Sequence, residues 1–202
     1  SAYFKIKDQY ILCASPERFL KLNNSILTTQ PIKGTAPRSI QEEEDELLKQ
    51  NLLYSEKDRA ENVMIVDLAR NDLYRSCKIN RVWVEKLFEV QSFTNVHHLV
   101  STICGEKRPE ISAFQALKNA FPPGSMTGAP KIRAMELINQ YEPTGRGIYS
   151  GGLGYIQPNG DFDFNVVIRT LIYYENNKIL TFHSGGAVTL DSDPEIEFEE
   201  TN

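Results

Sequence analysis

Two apolar periodicities divide this chain, and they do not alternate regularly. Period-two alternation occupies Tyr3–Leu12 and Phe19–Thr29 near one end, and Gly151–Gln157, Phe164–Tyr174 and Lys178–Phe182 near the other look like further strands. Such runs place successive side chains on opposite faces and predict antiparallel strands, with Asn23-Asn24 and Asn176-Asn177 as turns. Between them lie Ser39–Leu53, Ser55–Arg70, Ser112–Phe121 and Pro130–Tyr141, which read as helices. In the second, Ala60, Val63, Met64, Asp67 and Leu68 recur three and four apart. Val82–Val90 and Val96–Cys104 predict two further strands. A regular strand–helix–strand rhythm would mean a parallel sheet; its absence predicts an α+β fold.

The helix ends carry their own signals. Ser39 is a candidate N-cap, and Glu42 to Glu46 form an acidic run. Acidic residues early in a helix complement its dipole, so that run reads as a solvated face without a catalytic role. Pro130 suits a first turn, where its missing N–H costs little.

Composition removes several function classes. Net charge is −5 and the cations are dispersed, so no basic footprint for nucleic acid exists. No apolar run approaches the roughly 18 residues of a membrane span, and no signal-peptide pattern is present at the start. Cys13, Cys77 and Cys104 are three, far apart and without a CxxC, which predicts reduced buried thiols in a cytoplasmic protein. The chain opens without Met on a strand-like run and stops just inside a helix-like one, so we expect one domain, residues 1–202, cut at both ends.

Three groups of residues suit chemistry. Asp58 with Glu61, and Glu197 with Glu200, are spaced by three, which puts each pair on one helix face. Two such helices face to face would present hard oxygen ligands suited to Mg²⁺, although solvated acidic faces share that spacing. Lys33 ends a strand at Pro31-Ile32-Lys33-Gly34-Thr35; buried, it would serve as nucleophile or base, and exposed, as a plain cation. Glu17 is either an acid or the partner of Arg18. Gly124-Ser125-Met126-Thr127-Gly128-Ala129-Pro130-Lys131 precedes a helix, as an anion site does, but it fails the phosphate-loop pattern. Gly151-Gly152-Leu153-Gly154 and Gly185-Gly186 suggest close backbone approach or tight turns. In His97-His98, each histidine is either structural or functional.

Taken in order, SPERF (15–19), PIKGT (31–35), DRAENVMIVDLARNDL (58–73), VHHLVSTI (96–103), GSMTGAPKIRAMELI (124–138), GGLGYI (151–156), VVIRT (166–170) and GGAVTLDSDPEIEFEET (185–201) resemble the chorismate-utilising enzymes. The resemblance implies the anthranilate synthase component I-like fold, with antiparallel strands in large sheets and flanking helices, here without its N-terminal portion and with the last helix cut short. It implies Mg²⁺ held by Glu61 and Glu200, with Asp58 and Glu197 beside it. It also implies a chorismate pocket of Ser125, Tyr155, Arg169 and the backbone of Gly185 and Gly186, with His98 near the departing hydroxyl. Ala187 stands where the family usually has glycine.

Position 33 separates the branches. Anthranilate, isochorismate and salicylate synthases typically carry PIAGT, whereas PIKGT resembles the aminodeoxychorismate synthases. That likeness implies amination of chorismate at C4 by ammonia, with Lys33 as covalent nucleophile and Glu17 assisting proton transfer. The ammonia is expected from a glutaminase subunit or a fused glutaminase domain, because this chain lacks a nucleophilic-cysteine signature. Anthranilate synthase component I and a catalytically incompetent fragment are the alternatives.

Overall fold

The computed structural model describes residues 1–189 and 192–201, apart from the side chains of Ile196 and Glu200. Near its start the chain forms two hairpins, β1 (Ala2–Ile6) with β2 (Gln9–Cys13) and β3 (Arg18–Asn23) with β4 (Ile26–Gln30). Strand β5 (Ile32–Pro37) is separated from β4 only by Pro31, which has no N–H to give a ladder. Helices α1 (Glu42–Tyr54) and α2 (Glu56–Tyr74) follow, then the long strands β6 (Cys77–Ser92) and β7 (Val96–Lys107). Next come α3 (Ala113–Ala120), a short 3-10 turn at Gly124–Met126, and α4 (Lys131–Tyr141). The chain ends with β8 (Gly152–Ile156), β9 (Phe162–Val166), β10 (Thr170–Tyr174), β11 (Ile179–Phe182) and α5 (Pro194–Glu200). The fold is α+β, as the irregular rhythm predicts.

Strand β7 organises the larger sheet. One edge pairs with β6; the other takes β5 along Val96–Val100 and β4 along Ile103–Glu106. The amide of Ser101 donates to the Pro31 carbonyl at 3.2 Å, which carries the register across the break between those two strands. Outward from β4 run β3, β9 and β8. Residues 97–105 of β7 are all buried, so its inner stretch is covered on both faces.

Helix α2 packs onto this sheet by a stripe of Asn62, Ile65, Val66, Ala69, Asp72 and Leu73, the spacing of one helical face. Val66, Ala69 and Leu73 meet Phe19, Leu20, Leu22 and Leu27 from β3 and β4, Ile103 from β7, and Ala116 and Ala120 from α3. Asn62 is a polar pin in the stripe. It accepts from the Ser101 hydroxyl at 2.5 Å and donates to the Leu99 carbonyl at 3.4 Å, so its burial leaves no amide atom orphaned.

The smaller sheet has the order β1-β2-β10-β11. Here two sequence expectations need correction. Phe164–Tyr174 is not one strand: Arg169 adopts a left-handed backbone, φ +48°, and the chain crosses from one sheet to the other there. The apolar residues Val166-Val167-Ile168 and Leu171-Ile172 flank the bend on both sides, so the residue pattern reads as one strand. Tyr3–Leu12 likewise folds back on itself at Lys7, φ +53°. The next turn sits at Asn24-Ser25 rather than Asn23-Asn24, and α4 begins at Lys131 with Pro130 just outside it.

The acidic run also differs from its reading as a wholly solvated face. Asp45 is buried, accepts from Arg38 Nε at 2.8 and 3.0 Å and from the Ser39 amide at 3.0 Å, and meets His97 Nε2 at 2.8 Å. The Arg38 guanidinium holds its carboxyl well below the usual carboxylate range. No helix among the described residues is long and apolar enough to cross a membrane.

Candidate active site around Glu17 and Lys33

Glu17 lies where the chain enters β3, and it is 6% exposed. Burial disfavours its charged form and pushes the carboxyl up to about 7, against the partial opposition of a Ser125 hydrogen bond and the Lys33 charge. The structure thus brings Glu17, Lys33 and Ser125 together from three elements. A carboxyl with that affinity for its proton is suited to donate and recover one near neutral pH.

Lys33 is half-buried on β5, beside a glycine whose backbone no other residue would adopt easily. Gly34 has φ +93°, and a Cβ there would lie 2.9 Å from both Asp58 Cγ and Leu52 Cδ1. The missing side chain is what lets the start of α2 press against the PIKGT strand. The Ser55 side chain caps that start by accepting from the Asp58 amide at 3.3 Å. Asp58 therefore sits beside the Lys33 strand, and Glu61 follows one turn along.

Strand β5 also orients His98. Thr35 pairs with His98 in register, and its hydroxyl lies 2.9 Å from His98 Nδ1. The ring of Phe93 stands 5.5 Å away. Burial first, and then the charge of Arg169, pull the His98 proton affinity below its ordinary value, favouring a neutral imidazole. Its neighbour His97 is structural, held between the Ser92 hydroxyl at 2.9 Å and Asp45.

At the other end of the chain, Glu197 on α5 accepts from Ser192 at 2.9 Å and pairs with Lys57 at 3.5 Å. That ion pair ties α5 to the first turn of α2, next to Asp58. A Cβ on Gly186 would lie 3.0 Å from Glu197 Oε2, and one on Gly185 would lie 3.1 Å from the Tyr149 hydroxyl. Gly185 and Gly186 thus run between α5 and Tyr149. The donor set across α2 and α5 is carboxylate oxygen, the type Mg²⁺ takes. Among the described residues no three His, Cys, Asp or Glu side chains form a ready metal cage; the Glu200 side chain lies outside the described residues.

Tyr155 and Arg169 are exposed. Tyr155 and Glu17 line one open cleft with Ile32, Phe93, Val100 and Leu153. The profile of the family described as chorismate binding enzyme matches residues 1–202. The chain belongs to that family. Among its relatives in the chorismate-binding family, the chloroplastic aminodeoxychorismate synthase of Arabidopsis thaliana is 52% identical over 191 residues, 94% of this chain and 21% of that protein. Aminodeoxychorismate synthase component 1 of Escherichia coli (strain K12) is 45% identical over 201 residues, 100% of this chain and 44% of that protein. The crystal structure of anthranilate synthase component I from Streptococcus pneumoniae TIGR4 matches with TM-score 0.88 at 40% identity, covering 99% of this chain and 43% of that one. The chain spans less than half the length of each of them.

Several residues around the candidate site are not evident from the sequence alone. Thr35 belongs to the PIKGT run, but only the β5–β7 register shows that it faces His98. Lys131, the last residue of the glycine-rich run that fails the phosphate-loop pattern, turns inward to Asp72 at 2.8 Å. Tyr149, stacked on His183 at 5.3 Å, carried no signal in a single sequence.

Proposed function

We propose that this chain is the chorismate-binding catalytic part of a Mg²⁺-dependent aminodeoxychorismate synthase, converting chorismate and ammonia to 4-amino-4-deoxychorismate and water. The observation that carries the reading is the buried Glu17, with its proton held up to about 7, next to Lys33 and Ser125. Aminodeoxychorismate synthases among its relatives, at 52% and 45% identity, support the same branch.

In this reading the neutral Lys33 amine attacks C2 of chorismate. Both conjugated ring double bonds shift, C1=C2 to C1=C6 and C5=C6 to C4=C5, and the C4 hydroxyl departs as water, taking the proton of Glu17. Ammonia then bonds to C4, both double bonds shift back, and the C2–nitrogen bond breaks to return Lys33 as a neutral amine. The ammonium formed at C4 loses its proton to the Glu17 carboxylate, which closes the cycle. His98, kept neutral and oriented by Thr35, stands by the departing hydroxyl, while Ser125, Tyr155, Arg169 and the Gly185 and Gly186 backbone position chorismate. Arg169 suits the enolpyruvyl carboxylate because a guanidinium grips it with two parallel hydrogen bonds.

Glu61 and Glu200 would hold Mg²⁺ directly, and Asp58 and Glu197 through water. Bound there, the ion supplies positive charge to the ring carboxylate of chorismate and helps polarise the reacting ring. The name component 1 on the Escherichia coli relative supports a separate partner, which we take to be a glutaminase delivering ammonia. The buried free thiols of Cys13, Cys77 and Cys104 fit a reducing compartment such as the cytoplasm.

The test is a product assay on the full-length natural polypeptide with chorismate, Mg²⁺ and ammonium salt, read by mass. The expected product retains the enolpyruvyl group, and Lys33→Ala abolishes it while chorismate still binds. Glu61→Gln should weaken the response to Mg²⁺. Anthranilate with released pyruvate would instead identify the anthranilate synthase reaction, and undiminished turnover by Lys33→Ala would remove the covalent step.

A further inference from the structure

Glu17 lines two spaces. One is the open cleft shared with Tyr155; the other is a cavity bounded by Ala120, Pro123, Gly124, Ser125 and Asp72. The cavity gives about 20 Å³ to the centre of a water molecule, room for one. On its far wall Asp72 pairs with Lys131 at 2.8 Å, each side chain 7% exposed. Lys131 Nζ also donates to the Ala120 carbonyl at 3.0 Å.

Two details tie this pair to the site. Asp72 belongs to α2, Lys131 opens α4 and Ala120 ends α3, so one ammonium gathers all three helices around the segment that carries Ser125. A Cβ on Gly124 would lie 3.6 Å from Asp72 Oδ2 and 3.2 Å from Leu68, so the backbone just before Ser125 rests on the pair and its helix. Meanwhile Asp72 Oδ1 is buried without a protein hydrogen-bond partner. A buried carboxylate oxygen left so is satisfied by water where the site is polar and roomy enough.

We propose that Asp72 and Lys131 are positioning residues for Glu17: they press the Gly124-Ser125 turn against its carboxyl and hold one buried water on Asp72 Oδ1 behind it. The inference rests on the assignment of Glu17 as the proton-transferring group. The charged and titratable groups around that carboxyl are Lys33 from β5 and, across the cavity, Asp72 from α2 with Lys131 from α4; Arg18, next in the chain, is engaged by Asp163 at 3.0 Å.

The test compares Lys131→Met and Asp72→Asn with the parent in the full-length natural polypeptide, using chorismate, Mg²⁺ and ammonium salt. Lys131→Met should lower kcat by about tenfold or more with chorismate KM within about threefold, the pattern of an interaction used in the reacting complex rather than in ground-state binding. Asp72→Asn, which keeps the shape and an acceptor for Lys131, should keep kcat within about threefold of the parent; it is the variant to rely on if Lys131→Met does not fold, and a tenfold loss in it would overturn a positioning role for the pair. The Glu17 carboxyl, followed by infrared difference against Glu17→Gln, should titrate about one pH unit lower in Lys131→Met, because a loosened turn admits water and the relief of desolvation, the larger contribution, outweighs the lost Ser125 hydrogen bond. An unmoved titration together with unchanged kcat in folded Lys131→Met overturns the proposal. A parent whose turnover ignores Glu17→Gln defeats the role given to Glu17 instead, while the infrared shift still reports whether the pair positions it.

Discussion

Glu17 shows how much one buried carboxyl decides at the residue scale. Its proton affinity is raised from the ordinary 4.5 to about 7, chiefly by burial. Between those values the folded chain holds a proton that the unfolded chain has released. Its contribution to stability is therefore fully present below about 4.5 and is lost as pH rises through about 7. That difference corresponds to roughly 3 kcal/mol. Glu17→Gln should erase this dependence and exceed the parent in stability at pH 8, by up to that amount. Urea denaturation of both proteins at pH 5 and pH 8 measures it, and parallel losses would show that Glu17 stays ionised when folded. Catalysis has the same sign: as proton donor, Glu17 should let turnover decline above about pH 7, a limb absent from any residual activity of Glu17→Gln.

The deciding contact between elements is that of β5 with the first turn of α2. It depends on Gly34, whose φ of +93° and 2.9 Å clearance to Asp58 and Leu52 leave no room for a side chain. Gly34→Ala meets strain and overlap at once and should cost roughly 2–4 kcal/mol. The denaturant midpoint checks the stability loss. Turnover at a temperature where the variant is still folded checks a second consequence, since displacing α2 moves Asp58 and Glu61 relative to Lys33. A variant as stable and active as the parent would mean that α2 does not need this contact. His98 is set by elements too: its partner Thr35 is supplied by the antiparallel neighbour, so β5 delivers both the lysine and the group that orients the histidine.

Across the whole molecule, the two sheets are unequally secured. The larger one is buried against α2 and α3 with Leu27, Leu99 and Ile103 fully enclosed. The smaller one buries Ile11, Cys13 and Ile172 but leaves Tyr3, Phe4, Leu12, Leu171 and Phe182 exposed. Opening free energies follow such differences in buried contact. Amides of β1 and β11 should exchange with solvent at least tenfold faster than those of β4 and β7, measured residue by residue in the isolated chain. Leu27→Ala should cost about 2–5 kcal/mol and quicken exchange in β4 and β7. Uniform exchange across both sheets would mean that they open as one unit.

The α+β class, most element positions and the family were legible in the residues alone, because periodicity is local and the motifs of the chorismate-binding family lie in order along the chain. So was the placement of Asp58 and Glu61 on one face of α2, since a spacing of three fixes a shared helix face whatever the fold. Other features depended on groups far apart in sequence. Nothing in Phe164–Tyr174 announces that Arg169 turns the strand into another sheet, and the acidic run around Asp45 hides the one member that meets Arg38 and His97. The proton affinity of Glu17 was equally invisible, because desolvation comes from what the rest of the chain packs around a carboxyl. Sequence alone determined which chemical groups this protein carries; tertiary structure decided which of them lose water and which meet, because burial and long-range contact exist only once the chain has folded.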